Sequence, residues 1–147
     1  MGLDMYLNAK RFLWYNEEAL AATVAQAFPE IKDRRVKEVI VEAMYWRKSN
    51  QIHKWFVDNV QEGVDDCGHY DVSREKLEEL RQLILKVLDT KNATLLPPQE
   101  GFFFGSNTVD QYYWEDLRDT MEKLDKVLAD FTDSVTDSWD FEYHSSW

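Results

Sequence analysis

The sequence predicts one α+β domain, residues 1–147, in which about four helices pack on a mixed or mostly antiparallel sheet. Stretches near both ends alternate apolar and polar residues at a period of two, which is typical of half-buried strands. Between them, apolar residues recur at helical spacing behind capping residues. The expected strands are short and amphipathic, unlike the solid apolar runs of a doubly wound parallel sheet.

The first strand and the first helix are predicted within residues 2–27. Leu3, Met5 and Leu7 alternate with polar neighbours, so the chain begins as a strand, which can resume over 12–14. Asn16 is a suitable N-cap, and the Ala-rich stretch 19–27 then propagates a helix until Pro29. The thin apolar face of this helix predicts that it lies against the domain as a cover.

Residues 36–46 fit two structures. Their β-branched centre favours a strand, whereas Glu38, Glu42 and Trp46 at i,i+4 spacing also fit a helix; we predict the strand. Ser49 or Asn50 then caps a helix that runs to about residue 61 and ends before Gly63.

The remainder is predicted as alternating short strands and long helices. The predicted elements are a short strand at 70–72, a helix capped by Ser73 that runs to residue 90, a short buried strand within 101–106 that ends in a turn, a helix at 111–128 capped by Asp110, and a closing strand within 138–147. The Leu77, Leu80, Ile84 and Leu88 stripe and the Tyr113, Leu117, Met121, Leu124 and Leu128 stripe are expected to face inward.

The charge of the chain is uneven. Its formal net charge is −11, but residues 1–60 carry nine Lys and Arg against eight Asp and Glu, whereas residues 61–147 carry eight against twenty. An acidic surface repels nucleic acid, so we expect no direct nucleic-acid binding, and it attracts basic protein surfaces. The alternative is that the acid only keeps an aromatic-rich protein soluble.

Cysteine content and hydropathy predict a soluble cytoplasmic protein without a disulfide. The chain has one cysteine, Cys67, and neither a signal peptide nor a membrane span is indicated. No cofactor motif is present, because residues 101–106 lack the lysine of a phosphate loop. We therefore expect no cofactor and no membrane contact, and self-association stays open.

The stretch 45–59 holds the densest side-chain chemistry. We predict a ligand-binding pocket at its strand-to-helix junction, where free backbone N–H groups favour an anion such as a nucleotide. The predicted ligand-binding residues are Arg47, Lys48, Asn50, His53, Lys54 and Trp55. Arg supplies a fork for phosphate, and Trp supplies a stacking plane. The alternative is a structural role, in which Lys54 forms a surface ion pair with Asp58 and the cations of this stretch balance the negative charge of residues 61–147.

Two further kinds of site, a metal site and a cysteine nucleophile, involve the loop around Cys67. Asp65, Asp66, Cys67 and His69 lie close together, but the Cys-x-His spacing matches no standard zinc pattern, so no metal site is expected. Cys67 with His53 or His69 as a base is chemically conceivable. An enzyme therefore remains an alternative, without an assigned catalytic residue.

Several blocks of sequence resemble a family of small proteins encoded by phages and prophages. They include the opening Met1-Gly-Leu-Asp-Met-Tyr-Leu, the Tyr45-Trp-Arg-Lys and Ile52-His-Lys-Trp-Phe-Val-Asp-Asn blocks, and Gly101-Phe-Phe-Phe-Gly-Ser. The chain departs from the family at 91–94, where relatives carry a longer connection. The resemblance implies a viral setting, in the host cell cytoplasm, and supplies no reaction.

In that setting, the acidic flank indicates a counter-defence protein. Such a protein would inhibit a host defence protein, for example a CRISPR effector, through Glu115, Asp119 and Glu122 on the last helix. The alternative is a sponge that sequesters a nucleotide signal in the polar-aromatic pocket.

Overall fold

Four strands form one antiparallel sheet in this computed structural model, which describes residues 2–134 and 138–147. The strands are β1 (Asp4–Phe12), β2 (Glu38–Arg47), β3 (Tyr70–Val72) and β4 (Asp140–Ser146). Their order across the sheet is β2-β1-β4-β3. The first and last strands along the chain are therefore neighbours at the centre of the sheet. The α+β class with an antiparallel sheet is confirmed.

Four helices accompany the sheet, and short 3-10 turns punctuate the connections. The helices are α1 (Glu18–Ala25), α2 (Asn50–Asn59), α3 (Arg74–Thr90) and α4 (Gln111–Asp130). The predicted caps of the two long helices are confirmed. Ser73 Oγ accepts from the Lys76 backbone N–H, and Asp110 accepts from the N–H groups of Tyr112 and Tyr113. No described helix has the length and hydropathy needed to cross a membrane.

The core lies between one face of the sheet and helices α2, α3 and α4. The period-two pattern of β1 sends Leu3, Met5 and Leu7 to this face, where all three are fully buried. A buried hydrogen bond also links β2 to α4 in this core: Trp46 Nε1–H donates to Thr120 Oγ1 over 2.9 Å. Besides these residues, the helices contribute mainly Ile52, Phe56, Leu77, Leu80, Ile84, Leu117 and Leu124.

The strand interpretation of residues 36–46 is confirmed. Strand β2 pairs with β1 over its whole length, with Leu7 opposite Met44 and Asn8 opposite Glu42. The shift in register leaves Ala43 as an extra residue on β2, which is a β-bulge. Pairing with a central strand outweighs the helical spacing of the charged residues, because it satisfies the backbone of both segments.

The prediction of a buried strand within 101–106 is wrong. These residues form a turn, in which the Phe102 side chain is 95% exposed and only Phe104 is buried. Gly105, at a φ of +84°, lies against Lys48, and a Cβ added there would stand 3.3 Å from Lys48 Cβ. The glycine therefore allows the turn to approach the β2–α2 junction.

Smaller differences concern the helix boundaries and faces. Helix α1 begins at Glu18 rather than after an Asn16 cap, because Tyr15–Glu17 form a 3-10 turn and the Glu17 side chain accepts from the Trp14 N–H over 2.9 Å. On α3 and α4, Val87 and Val127 are buried, whereas the predicted Leu88 and Leu128 are only partly buried.

Candidate functional site

A cavity of about 270 Å³ opens at the junction between β2 and α2. The junction forms one wall, the turn after Pro98 forms the second, and the first two turns of α4 form the third. The lining residues are Arg47, Lys48, Asn50, Gln51, Pro98, Gly105, Ser106, Thr108, Asp110, Tyr112, Tyr113 and Asp116. Arg47, Lys48 and Asn50 of the six predicted ligand-binding residues are thus brought together at one cavity.

The junction itself is a sharp reversal. Lys48 has a left-handed φ of +57°, and its N–H donates to the Leu3 carbonyl over 2.8 Å. Ser49 then takes the N-cap position of α2, but its side chain makes no capping hydrogen bond. The N-terminus of α2 and its positive dipole end therefore lie beside the cavity.

Two cations stand at the mouth of this cavity. Arg47 and Lys48 are both exposed, and neither forms an ion pair with any residue in the described part of the chain. Their charges are therefore available to a ligand, and Arg47 offers the planar fork that suits phosphate or carboxylate.

Asn50 has a structural role in the cavity wall. Its amide is 2% exposed and makes three hydrogen bonds to the turn that forms the second wall. Nδ2–H donates to the carbonyls of Phe104 (3.0 Å) and Ser106 (2.8 Å), and Oδ1 accepts from the Gln99 N–H (3.0 Å). Both N–H groups of Nδ2 and one lone pair of Oδ1 are thus engaged with the turn, so Asn50 fixes the shape of the cavity.

The inner wall carries buried polar groups without partners. Gln51 is 3% exposed and Ser49 is 1% exposed, yet Gln51 Nε2 and Ser49 Oγ have no hydrogen-bond partner among the described residues. Both lie near the half-buried Asp116 carboxyl and act to lower its pKa, although neither reaches it with hydrogen-bond geometry. Burial has the larger effect and raises the Asp116 pKa above its ordinary value.

Two tyrosines from α4 complete the third wall. The Tyr113 hydroxyl is buried and donates to the Leu96 carbonyl over 2.7 Å, and burial raises its pKa to about 12. Tyr113 therefore stays neutral and holds the chain after α3 in place. Tyr112 is 66% exposed, which leaves a ring free to contact a ligand.

His53, Lys54 and Trp55 lie outside this cavity. Lys54 pairs with Asp58 over 2.7 Å at i,i+4 spacing, and Trp55 is 6% exposed and packs edge-on against Phe56. Lys54 and Trp55 line a recess of about 90 Å³ beside the 95–97 segment, and this recess shares Gln51 with the junction cavity. The structure thus divides the predicted site into a junction cavity and a second, smaller recess.

His53 belongs to a buried polar network. Its ring is fully buried, Nδ1 lies 2.7 Å from the Tyr143 hydroxyl, and Nε2 lies 3.0 Å from Asp65 Oδ2. The other oxygen of Asp65 accepts from Trp147 Nε1–H over 3.0 Å. The network joins α2, the loop before β3 and the end of β4. It leaves His53 no free nitrogen to take a proton from Cys67.

The described residues hold no group of three His, Cys, Asp or Glu side chains that could bind a metal ion. His69, the other candidate base near Cys67, is exposed, and its Nδ1 lies 2.8 Å from Glu142 Oε1. The polar side chains of the loop around Cys67 therefore make separate contacts and do not gather into one site among the described residues.

The three predicted partner-binding acids share the outer face of α4. Glu115, Asp119 and Glu122 are all exposed, and Asp119 forms an i,i+4 ion pair with Lys123 over 2.6 Å. They lie on the outer side of the helix that supplies Asp116 to the cavity.

Sequence reasoning missed Gln51, Asp116 and Tyr112. Gln51 lies inside the dense stretch, but nothing in its spacing shows that its amide is buried without a partner. Asp116 lies in a helix that meets α2 only through the tertiary fold, so no local pattern marks it.

No protein-family model, curated protein or solved structure matches this chain.

Proposed function

We propose that this protein binds a small anionic ligand in the junction cavity. The observation that carries the proposal is the buried Gln51 amide, whose Nε2 forms no hydrogen bond of good geometry with any described residue and which lines the cavity. At the mouth of this cavity stand two cations that form no ion pair within the described part of the chain. A buried donor without a partner costs about 1 to 3 kcal/mol, and a ligand oxygen would relieve that cost. The helix dipole of α2 adds to the attraction for an anion.

The acids of the cavity are compatible with this proposal. The Asp110 carboxylate accepts hydrogen bonds from two backbone N–H groups at the start of α4, so the positive end of that helix offsets part of its charge. Asp116 is less exposed than Arg47 and Lys48 and offers an acceptor to a neutral part of the ligand. The cavity therefore has an anion-binding mouth and a mixed polar interior.

Removing the cations at the mouth should remove binding. We expect Arg47→Ala with Lys48→Ala to weaken binding of phosphate, pyrophosphate or nucleotides about 10- to 100-fold in isothermal titration calorimetry, since charge-assisted hydrogen bonds are lost. The melting temperature of the free protein should change little, because both side chains are exposed and alanine keeps the Lys48 Cβ that lies against Gly105.

The matched control is Lys54→Ala, a cation on α2 that lies outside the cavity and is already paired with Asp58. An equal loss in the control would show that general surface charge, not the cavity, attracts the anion.

Mass spectrometry of the recovered ligand separates two versions of the function. An unchanged ligand supports a sponge, whereas an altered ligand indicates an enzyme.

We propose as a second function that the acidic face of α4 engages a basic surface of a host defence protein, for example a CRISPR effector. It is favoured by the exposure of Glu115, Asp119 and Glu122 along one stripe of α4. Surface charge of this kind steers association and sets its salt dependence.

Reversing the charge of this stripe tests the second function. We expect Glu115→Lys, Asp119→Lys and Glu122→Lys together to abolish pull-down of the partner from a phage-infected host, with the fold intact by circular dichroism. The matched control reverses three exposed acids of α3, Glu75, Glu79 and Asp89. If the α4 triple variant still retains the partner at low salt, the α4 stripe is not the docking surface.

A further inference from the structure

The inner wall of the junction cavity presents an acceptor and a donor side by side. The Asp116 carboxyl comes from the second turn of α4, and the Gln51 amide comes from the first turn of α2. Gln51 Nε2 lies near Asp116 but forms no hydrogen bond of good geometry with any described residue, although Gln51 is only 3% exposed. A ligand that satisfies this wall must therefore carry N–H donors next to a carbonyl-type acceptor.

We infer that the cavity binds a guanine nucleotide, with its base edge on Asp116 and Gln51 and its phosphate on Arg47 and Lys48. This inference rests on the proposed function and names the class of its ligand. The guanine edge carries the N1–H and the exocyclic amino group, both donors, beside the O6 acceptor. The two donors match the Asp116 carboxylate, and O6 matches the Gln51 amide.

The remaining walls fit the other parts of a nucleotide. Arg47 and Lys48 are exposed at the mouth, where a phosphate keeps part of its hydration. Tyr112 lines the same cavity with an exposed ring, which offers a stacking surface for a base. A cavity of about 270 Å³ lies just below the usual range for enclosed drug-sized ligands, so part of the nucleotide stays in solvent.

The same wall disfavours adenine. Adenine presents an acceptor, N1, where guanine presents N1–H, so a lone pair would face the Asp116 carboxylate. The exocyclic amino group of adenine would likewise face the Gln51 donor. Sites built from buried polar groups reject ligands that leave those groups unpaired, and this rejection is stronger than that of an apolar pocket.

Calorimetric titration with GMP, IMP, AMP and inorganic phosphate tests the inference. GMP should bind at least about tenfold more tightly than AMP, with IMP between them because it lacks the exocyclic amino group. Phosphate alone should bind weakly at the same mouth. Arg47→Ala should weaken all four ligands, whereas Asp116→Asn should remove only the preference for GMP over AMP.

The control for Asp116→Asn is Asp119→Asn, which removes an exposed acid on the same helix outside the cavity. Burial raises the pKa of the Asp116 carboxyl, so ionising this group in the folded protein lowers the free energy of unfolding as the pH rises. Asn carries no charge, and the Asp116→Asn variant should therefore fold. The melting temperature of the variant at neutral pH should equal or exceed that of the parent protein.

The outcomes distinguish failure of the guanine assignment from failure of the proposed anion binding. If phosphate and all three nucleotides bind with equal affinity, the base assignment is overturned and the anion-binding function stands. A preference for AMP also overturns the assignment. If no phosphate-containing ligand binds at all, the proposed function fails together with the inference.

Discussion

His53→Ala should lower the free energy of unfolding by about 3 to 5 kcal/mol, a large effect for a single substitution. The imidazole is fully buried and links the Tyr143 hydroxyl to the Asp65 carboxylate. Its removal leaves both partners without that bond and opens a cavity beside Phe104, whose ring packs edge-on against it at 5.2 Å. Urea denaturation monitored by tryptophan fluorescence measures the loss.

His69→Ala is the matched control, since it removes an exposed imidazole from the nearby loop. We expect this variant to cost less than about 1 kcal/mol. Tyr143→Phe gives an intermediate test, because it keeps the ring that stacks on Phe56 at 3.9 Å and removes only the hydroxyl. Equal stability of the His53 and His69 variants would show that the buried network does not hold the fold.

The second large effect is expected at Asn50. Asn50→Ala should cost about 2 to 4 kcal/mol, because three hydrogen bonds to the 99–106 turn are lost and buried backbone groups are left unpaired. The turn should loosen as well. Hydrogen exchange at the Gln99 amide, which donates to Asn50 Oδ1, should become faster than in the parent protein.

Asn59→Ala is the matched control on the same helix. Asn59 is exposed and donates only to the Trp55 carbonyl, so its loss should cost less than about 1 kcal/mol. The Asn50 variant also separates two roles of this side chain. If anion binding is lost while stability and the Gln99 exchange rate are unchanged, Asn50 contacts the ligand directly instead of shaping the cavity.

Much of the secondary structure follows from local sequence. The period-two pattern of β1 and the caps Ser73 and Asp110 act through neighbouring residues, so they predict their elements without the fold. The 101–106 segment is different. Three consecutive phenylalanines predict burial, but the chain turns at 102–104, Gly105 lies against Lys48, and Phe102 is left in solvent.

Part of the candidate site was predictable because it depends on residues that are neighbours in the sequence. Arg47, Lys48 and Asn50 follow one another across a strand-to-helix junction, so a local pattern places them together. His53 and Lys54 are only one turn further, yet their environments differ completely. Strand β4 supplies Tyr143 to cover His53, whereas Lys54 faces outward and pairs with Asp58.

The sequence by itself determined the α+β class, the strand-to-helix junction that gathers cations beside a helix N-terminus, and the outward acids of α4. These features depend on residue periodicity and capping, which act over a few residues. Only the tertiary structure decided the strand order β2-β1-β4-β3, the burial of His53 and the meeting of Gln51 with Asp116. These contacts join segments far apart in the chain, and their geometry is fixed by how the helices pack on the sheet rather than by any local pattern.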